Sequence, residues 1–209
     1  MDIGKIEIKL DKRWELQDLS VVTKEYVQLY SFFYVLKCVD EGIYVGLDFS
    51  TYPWGGGYSV VNFFKGSYGL TPDEYRLQIN RIQYASPGFI ELSGVIAIAS
   101  DVSILVSALC ASALAINKTY DTIVKTYHRR RLGHIKVQEA ESKLMQDDIV
   151  FIQQSIRRLS SEFNLRPEQV SAVQKITNGN ELVQLKILLA LYRRAEPIQE
   201  QQSSGKAQL

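Results

Sequence analysis

Cysteine is scarce in this 209-residue chain: Cys38 and Cys110 are the only two, too few for a disulfide framework, so a reducing compartment is the expectation. Histidine is equally scarce. His128 and His134 lie six residues apart with neither cysteine near them in sequence, which removes the usual zinc spacings and the His-Glu-x-x-His motif. An excess of one charge is missing as well, since 24 Lys/Arg stand against 23 Asp/Glu, a balance that excludes a highly basic nucleic-acid coat. Also lacking are a Gly-x-Ser-x-Gly elbow, a P-loop and a dinucleotide fingerprint. These absences lead us to expect no metal, no cofactor and no enzymatic activity. The start, MDIGKIEIKL, alternates apolar and charged residues and is neither a signal nor a transit peptide, so the expected location is the cytoplasm.

What is there is unevenly distributed. Residues 1–100 carry 9 basic and 12 acidic side chains, a net of −3, and residues 101–209 carry 15 and 11, a net of +4. Of the 22 aromatics, 17 precede residue 90. The first part is thus aromatic-rich with Gly and Pro punctuation. The second consists of long Ala-, Ser-, Gln- and Arg-rich runs that read as helix. The charge asymmetry suits docking between the halves or between copies, and is too small to argue for nucleic acid.

In residues 5–10, Ile6, Ile8 and Leu10 alternate with Lys5, Glu7 and Lys9, the pattern of a strand with one wet face. Leu19, Val22, Tyr26, Leu29, Phe33 and Leu36 then mark one face of a helix over about 18–38, with Asp18 or Ser20 as its N-cap. Apolar runs at 43–49 and 58–64 read as two strands joined by the glycine-rich loop Gly55-Gly56-Gly57. Residues 75–84 read as a strand with one bulge, Ser86-Pro87-Gly88 as a turn and Phe89–Leu92 as a last strand. In the loop, Tyr52, Trp54 and Tyr58 form a candidate binding surface, because amphipathic aromatics dominate interaction hot spots.

From Gly94 the pattern is helical. Val102, Val106, Leu109, Ala113, Ile116, Tyr120, Ile123 and Tyr127 are spaced alternately by 4 and 3, a coiled-coil-like seam. Ala99, Ser103, Ser107, Ala111 and Ala115 form a second stripe of small residues, every four positions, that would let another helix approach closely. His128-Arg129-Arg130-Arg131-Leu132-Gly133 has the form of a C-terminal stop, and Met145, Ile149, Ile152, Ile156, Leu159 and Phe163 resume the seam. The expectation is a helical hairpin of 95–131 and 135–163, with Val106, Leu109, Ile116 and Tyr120 facing Ile149, Ile152 and Ile156; the alternative is one very long helix in which Gly133 only weakens the middle. Arg129, Arg130 and Arg131, with Lys125 and Lys136, offer an anion contact; the competing reading is a solvated helix end. Pro167 suits the start of a short helix, and Leu182, Leu185, Leu189 and Tyr192 mark a last one, ended by Pro197, with 197–209 disordered.

The order of elements, with Tyr84, Ser86, Pro87 and Gly88 in a turn followed by an apolar helix from Gly94 and a charged helix, resembles small uncharacterised bacterial proteins. That resemblance implies neither an activity nor a site residue. The expected fold class is α+β: an N-terminal antiparallel sheet of four or five strands with one packed helix (1–93), a long antiparallel helical hairpin (94–163) and a short C-terminal helical pair (164–196). The expected function is that of a non-enzymatic, homo-oligomerising interaction or scaffold protein whose partners are its own copies and an unidentified protein. One alternative is a membrane-associated effector or anchor at the inner membrane that inserts 95–116. From Val102 to Ile116 there is no charge, but fifteen residues span only about 22 Å of the roughly 30 Å needed. Another alternative is an enzyme of unknown class using the 52–58 loop.

Overall fold

The structure, a computed structural model, describes residues 1–49, 51–54, 56–135 and 144–209. It has the expected α+β class. Strands β1 (Ile3–Leu10), β2 (Gln78–Gln83), β3 (Gly88–Val95) and β4 (Ala207–Gln208) make one antiparallel sheet in the order β2-β3-β1-β4. Seven α-helices occur among the described residues: α1 (Leu16–Asp40), α2 (Gly56–Leu70), α3 (Ile96–Ala111), α4 (Ala113–Arg129), α5 (Gln146–Glu162), α6 (Pro167–Ile176) and α7 (Glu181–Ser203).

The sheet forms as its alternation dictates. Ile6, Ile8 and Leu10 turn inward and pair across β3, Ile6 with Leu92 and Ile8 with Ile90, while Lys5, Glu7 and Lys9 stay wet. The β2–β3 register slips between Ile79 and Arg81, the bulge that the phase shift in the sequence required. At the turn, Gly88 is obligatory: a Cβ there would stand 2.5 Å from the Gln83 carbonyl oxygen. The Tyr30 hydroxyl fixes the sheet to α1, accepting from the Val95 N–H at 2.7 Å and donating to the Tyr75 carbonyl at 2.8 Å.

Several expectations are corrected. Residues 58–64 belong to a helix, α2, and 43–49 form no strand. Val60, Phe63, Phe64 and Ser67 are all buried, which is the i, i+3, i+4, i+7 face of a helix packed on α1. The cap of α1 is Glu15 rather than Asp18 or Ser20; Asp18 sits in the first turn, 3.3 Å from the Lys206 ammonium. The long helix from 95 to 131 is two helices, broken at Ser112 and bent by 94°. Because of the bend, α3 packs on α1 and α7, and only α4 lies beside α5. Their pairing is antiparallel, with Arg130 2.6 Å from Asp148 and Thr119 donating to Glu162 at 3.0 Å. The seam is divided accordingly. Val106 and Leu109 are buried on α3, Ile116 on α4 and Ile152 on α5, with Tyr120, Ile149 and Ile156 half-buried and Met145 exposed.

The C-terminal expectations change most. Pro197 lies inside α7, which is the longest helix after α1 and continues to Ser203. The tail is ordered rather than disordered: Ala207 is buried opposite Leu10, the Asp11 N–H donates to the Lys206 carbonyl at 2.8 Å, and Lys12 donates to the Ser204 carbonyl. In place of a short end, α7 is the central helix. Every residue from Leu182 to Tyr192 is buried, and the helix touches α1, α2, α3, α5 and α6. Asn180 caps it by accepting from the Val183 N–H at 3.1 Å.

The stop after α4 also differs in detail. Arg131, with φ of 54°, occupies the left-handed position, while Gly133 sits in the following 3-10 turn, Leu132–His134. A left-handed Arg costs about 1–2 kcal/mol, part of which Gly would lose again to unfolded-state entropy. Arg131→Gly should therefore stabilise the protein by about 0.5–1 kcal/mol in urea unfolding, with an unchanged m-value.

Candidate functional site

Two of the hollows among the described residues bring together side chains with interaction chemistry. The first is an open groove of about 760 Å³ at the α3–α4 elbow, lined by Ser103, Ile104, Ser107, Ala108, Ala111 and Ala115 among others, with Ser161, Glu162 and Asn164 at the end of α5. The small stripe thus does line a surface groove, with one exception: Ala99 is buried within the chain and unavailable to a partner. Ser107, Ala111 and Ala115 are exposed and Ser103 is half-buried. Leu114 projects from the same bend, 89% exposed, and Ile104 is also exposed. Among the described lining residues, Glu162 is the only ionisable side chain.

The second hollow is smaller and more enclosed. Val60 of α2, Tyr120, Val124, Tyr127 and His128 of α4, Gly133, and Lys186, Leu189 and Arg193 of α7 surround about 250 Å³. Its unusual member is Lys186, 4% exposed, whose ammonium has no hydrogen-bond partner among the described residues. Burial pushes the Lys186 ammonium below its ordinary value, and it also holds the Tyr120 and Tyr127 phenols above theirs, Tyr127 at about 12. A little over two helical turns along α7, Arg194 is a buried cation of the opposite kind. It donates to Gln28 at 3.1 Å and to the Ala190 carbonyl at 3.0 Å and lies 4.1 Å over the Phe64 ring. Sequence reading passed over Lys186, because a lone Lys among leucines reads as the wet side of an amphipathic helix.

The other sequence candidates are not brought together as binding surfaces. Trp54 is 6% exposed and donates from Nε1 to the Ile176 carbonyl at 3.1 Å; Tyr52 leans on Trp54 and Phe63 and donates to the Ser59 carbonyl. That part of the loop is core, and the Tyr58 side chain lies outside the described part of the structure. Of the arginines, Arg130 is spent on Asp148 and on the Phe151 ring, while Arg129 and Arg131 are exposed. Lys136 lies outside the described residues. Asp101, the charge in the apolar helix, is buried and gripped by Arg166 through two contacts of 3.0 and 3.2 Å. Among the described residues, no three His, Cys, Asp or Glu side chains are grouped to hold a metal. No single helix among them is long and apolar enough to cross a membrane, although α3 and α4 together reach the required length and composition as a bent pair. The chain matches no protein-family model, no curated protein and no solved structure.

The lone ammonium sets a sign for pH dependence. With its folded-state pKa lowered from about 10.5, Lys186 makes the folded chain bind fewer protons than the unfolded one between the lowered value and 10.5. Stability then rises with pH through that window and the cost is fully present below it. Lys186→Met should raise the melting temperature at pH 7 by about 2–4 °C, corresponding to about 1 kcal/mol in a chain of this size. The advantage should shrink as the pH approaches 10; a constant advantage would mean that charge is not its cause.

Proposed function

We propose that this chain is a non-enzymatic, homo-oligomerising interaction protein that assembles through the elbow of α3 and α4. The observation that carries the reading is the groove itself, an exposed and almost uncharged hollow walled by Ser107, Ala108, Ala111 and Ala115 with Leu114 and Ile104 standing beside it. A patch that holds both a protruding apolar side chain and a hollow of small ones can complement itself across a two-fold axis, the Leu114 of each copy entering the groove of the other. Small residues let the helix backbones come close, so dispersion contacts accumulate over the interface. The cytoplasm is the location that suits such a protein.

Light scattering on the purified chain should give a multiple of 23.8 kDa. Ser107→Leu with Ala111→Leu fills the groove at exposed positions and should shift the mass toward the monomer without lowering the melting temperature. A monodisperse monomer from the unmodified chain would end the reading.

The bent pair of α3 and α4 supports a second reading, insertion of residues 95–116 into a bilayer. Insertion would strip Val102, Val106 and Leu109 from α1 and α7 and break the buried Asp101–Arg166 pair, leaving an unpaired charge that costs roughly 2.5–3.5 kcal/mol near a bilayer centre. The helix would thus exchange one apolar environment for another at a net loss. After expression in bacteria and high-speed centrifugation, the protein should remain in the supernatant; recovery in the pellet after a carbonate wash would reverse the order of the two readings.

A further inference from the structure

Buried cations in proteins are paired, and α7 shows both the rule and its exception. Arg194 has a side-chain amide, a backbone carbonyl, a ring face and, 3.9 Å away, the Glu25 carboxylate. Lys186, on the same helix and at least as deeply buried, has none of these among the described residues. The difference is that Lys186 lines a hollow. The ammonium itself is covered and has no partner among the described residues, and on a side chain that lines a cavity it is a charge whose counterpart can come from outside the chain.

The rest of the lining specifies what that counterpart is. Arg193 and His128 are exposed where Lys186 is buried, so the basic groups run from the rim of the pocket to its depth. Arg193 is held toward the helix by its Nε donating to the Leu189 carbonyl at 3.3 Å, and its charge reaches both the Tyr120 and Tyr127 phenols. No carboxylate is among the described lining residues. The remaining wall is Val60, Val124 and Leu189 with the rings of Tyr120 and Tyr127, the latter 5.7 Å from the His128 ring and edge-on to it. Tyr120 is itself stacked on Tyr192 at 3.9 Å, which holds its ring in this wall. The volume of about 250 Å³ lies below the roughly 300–1,000 Å³ of sites for drug-sized molecules, which leaves room for one ring or a short chain.

We propose that this pocket binds a small organic carboxylate with an apolar body, its anionic end on Lys186 and Arg193 and its body between the two tyrosines and Val60, Val124 and Leu189. The site shares no lining residue with the elbow groove, so it stands whether or not the chain self-associates. Binding neutralises a buried charge that has no partner among the described residues. The ligand should therefore stabilise the protein, with a response that depends on its charge and not only on its shape.

Benzoate is a suitable probe, benzamide its uncharged counterpart and inorganic phosphate an anion without an apolar body. Benzoate should raise the melting temperature of the full chain in a dose-dependent, saturable way and bind measurably by calorimetry. Benzamide and phosphate should each bind at least tenfold more weakly. Lys186→Met, expected to fold and to melt no lower than the parent chain, should lose at least tenfold in benzoate affinity. Arg193→Gln, at an exposed position where folding is not at stake, should lose severalfold. Absence of any benzoate response, an equal response to benzamide, an equal response to phosphate, or a full response in Lys186→Met would each overturn the assignment.

Discussion

Everything else in the molecule is arranged around a helix that is buried on all sides. From Leu182 to Tyr192, α7 offers no face to water, so its neighbours must enclose it completely: α1, α2, α3, α5 and α6 are the helices that do so. A helix in this position needs apolar residues all round rather than a stripe. The polar groups it keeps must then find partners inside the protein. Asn180 closes its N-terminus, and beyond its last turn the chain is tied back by β4 onto β1, which returns the C-terminus to the first strand of the sheet. One hydrophobic core accordingly runs from Ile8 to Ala207.

The bend at Ser112 follows from the same demand. A straight helix from 96 to 129 would be roughly 50 Å long at about 1.5 Å per residue, far longer than the portion of α7 available to cover it. By turning 94°, the chain lays its apolar part, α3, against α1 and α7 and its charged part, α4, against α5. The inner side of α3 is used within the chain, while the outer side carries Ser107 and Ala111 to the surface at the elbow. The groove is thus a product of the break and would not exist on a straight helix.

How much of this could be read from sequence depended on whether the signal was local. The alternation of β1, the bulge of β2, the turn at Gly88 and Pro167 at the first position of α6 all rest on short-range sterics and periodicity, and they were legible. The break at Ser112 was not, because the 4-3 spacing of apolar residues continues in phase through it; only the change from an apolar to a charged composition marked it. Residues 58–64 were misread since Val, Phe and Tyr favour strands, although Val60, Phe63, Phe64 and Ser67 carried the helical period. The ordered tail depends on backbone pairing to a strand nearly two hundred residues away, which composition cannot express. Of the site residues, the exposed part of the small stripe was legible as a surface, while Trp54 and Arg130 proved to have structural partners.

Lys186 belongs to neither group, and the reason is physical. Sequence patterns report which side of a helix is wet only when the helix has a wet side. On α7 both Arg194 and Lys186 interrupt stretches of mainly apolar residues, and the pattern treats them alike. Their difference appears only when partners can be counted: the guanidinium, planar and rich in donors, is satisfied by Gln28, a backbone carbonyl and a ring, while the ammonium meets no acceptor among the described residues. A core selected for stability alone would replace such a lysine with methionine or leucine of similar bulk. A residue that lowers stability, on a side chain that lines an enclosed cavity, is a local inconsistency of the kind that binding sites produce. The cost is borne by the empty protein and removed when an anion enters, so the same unpaired charge that weakens the fold provides the free energy to hold a ligand.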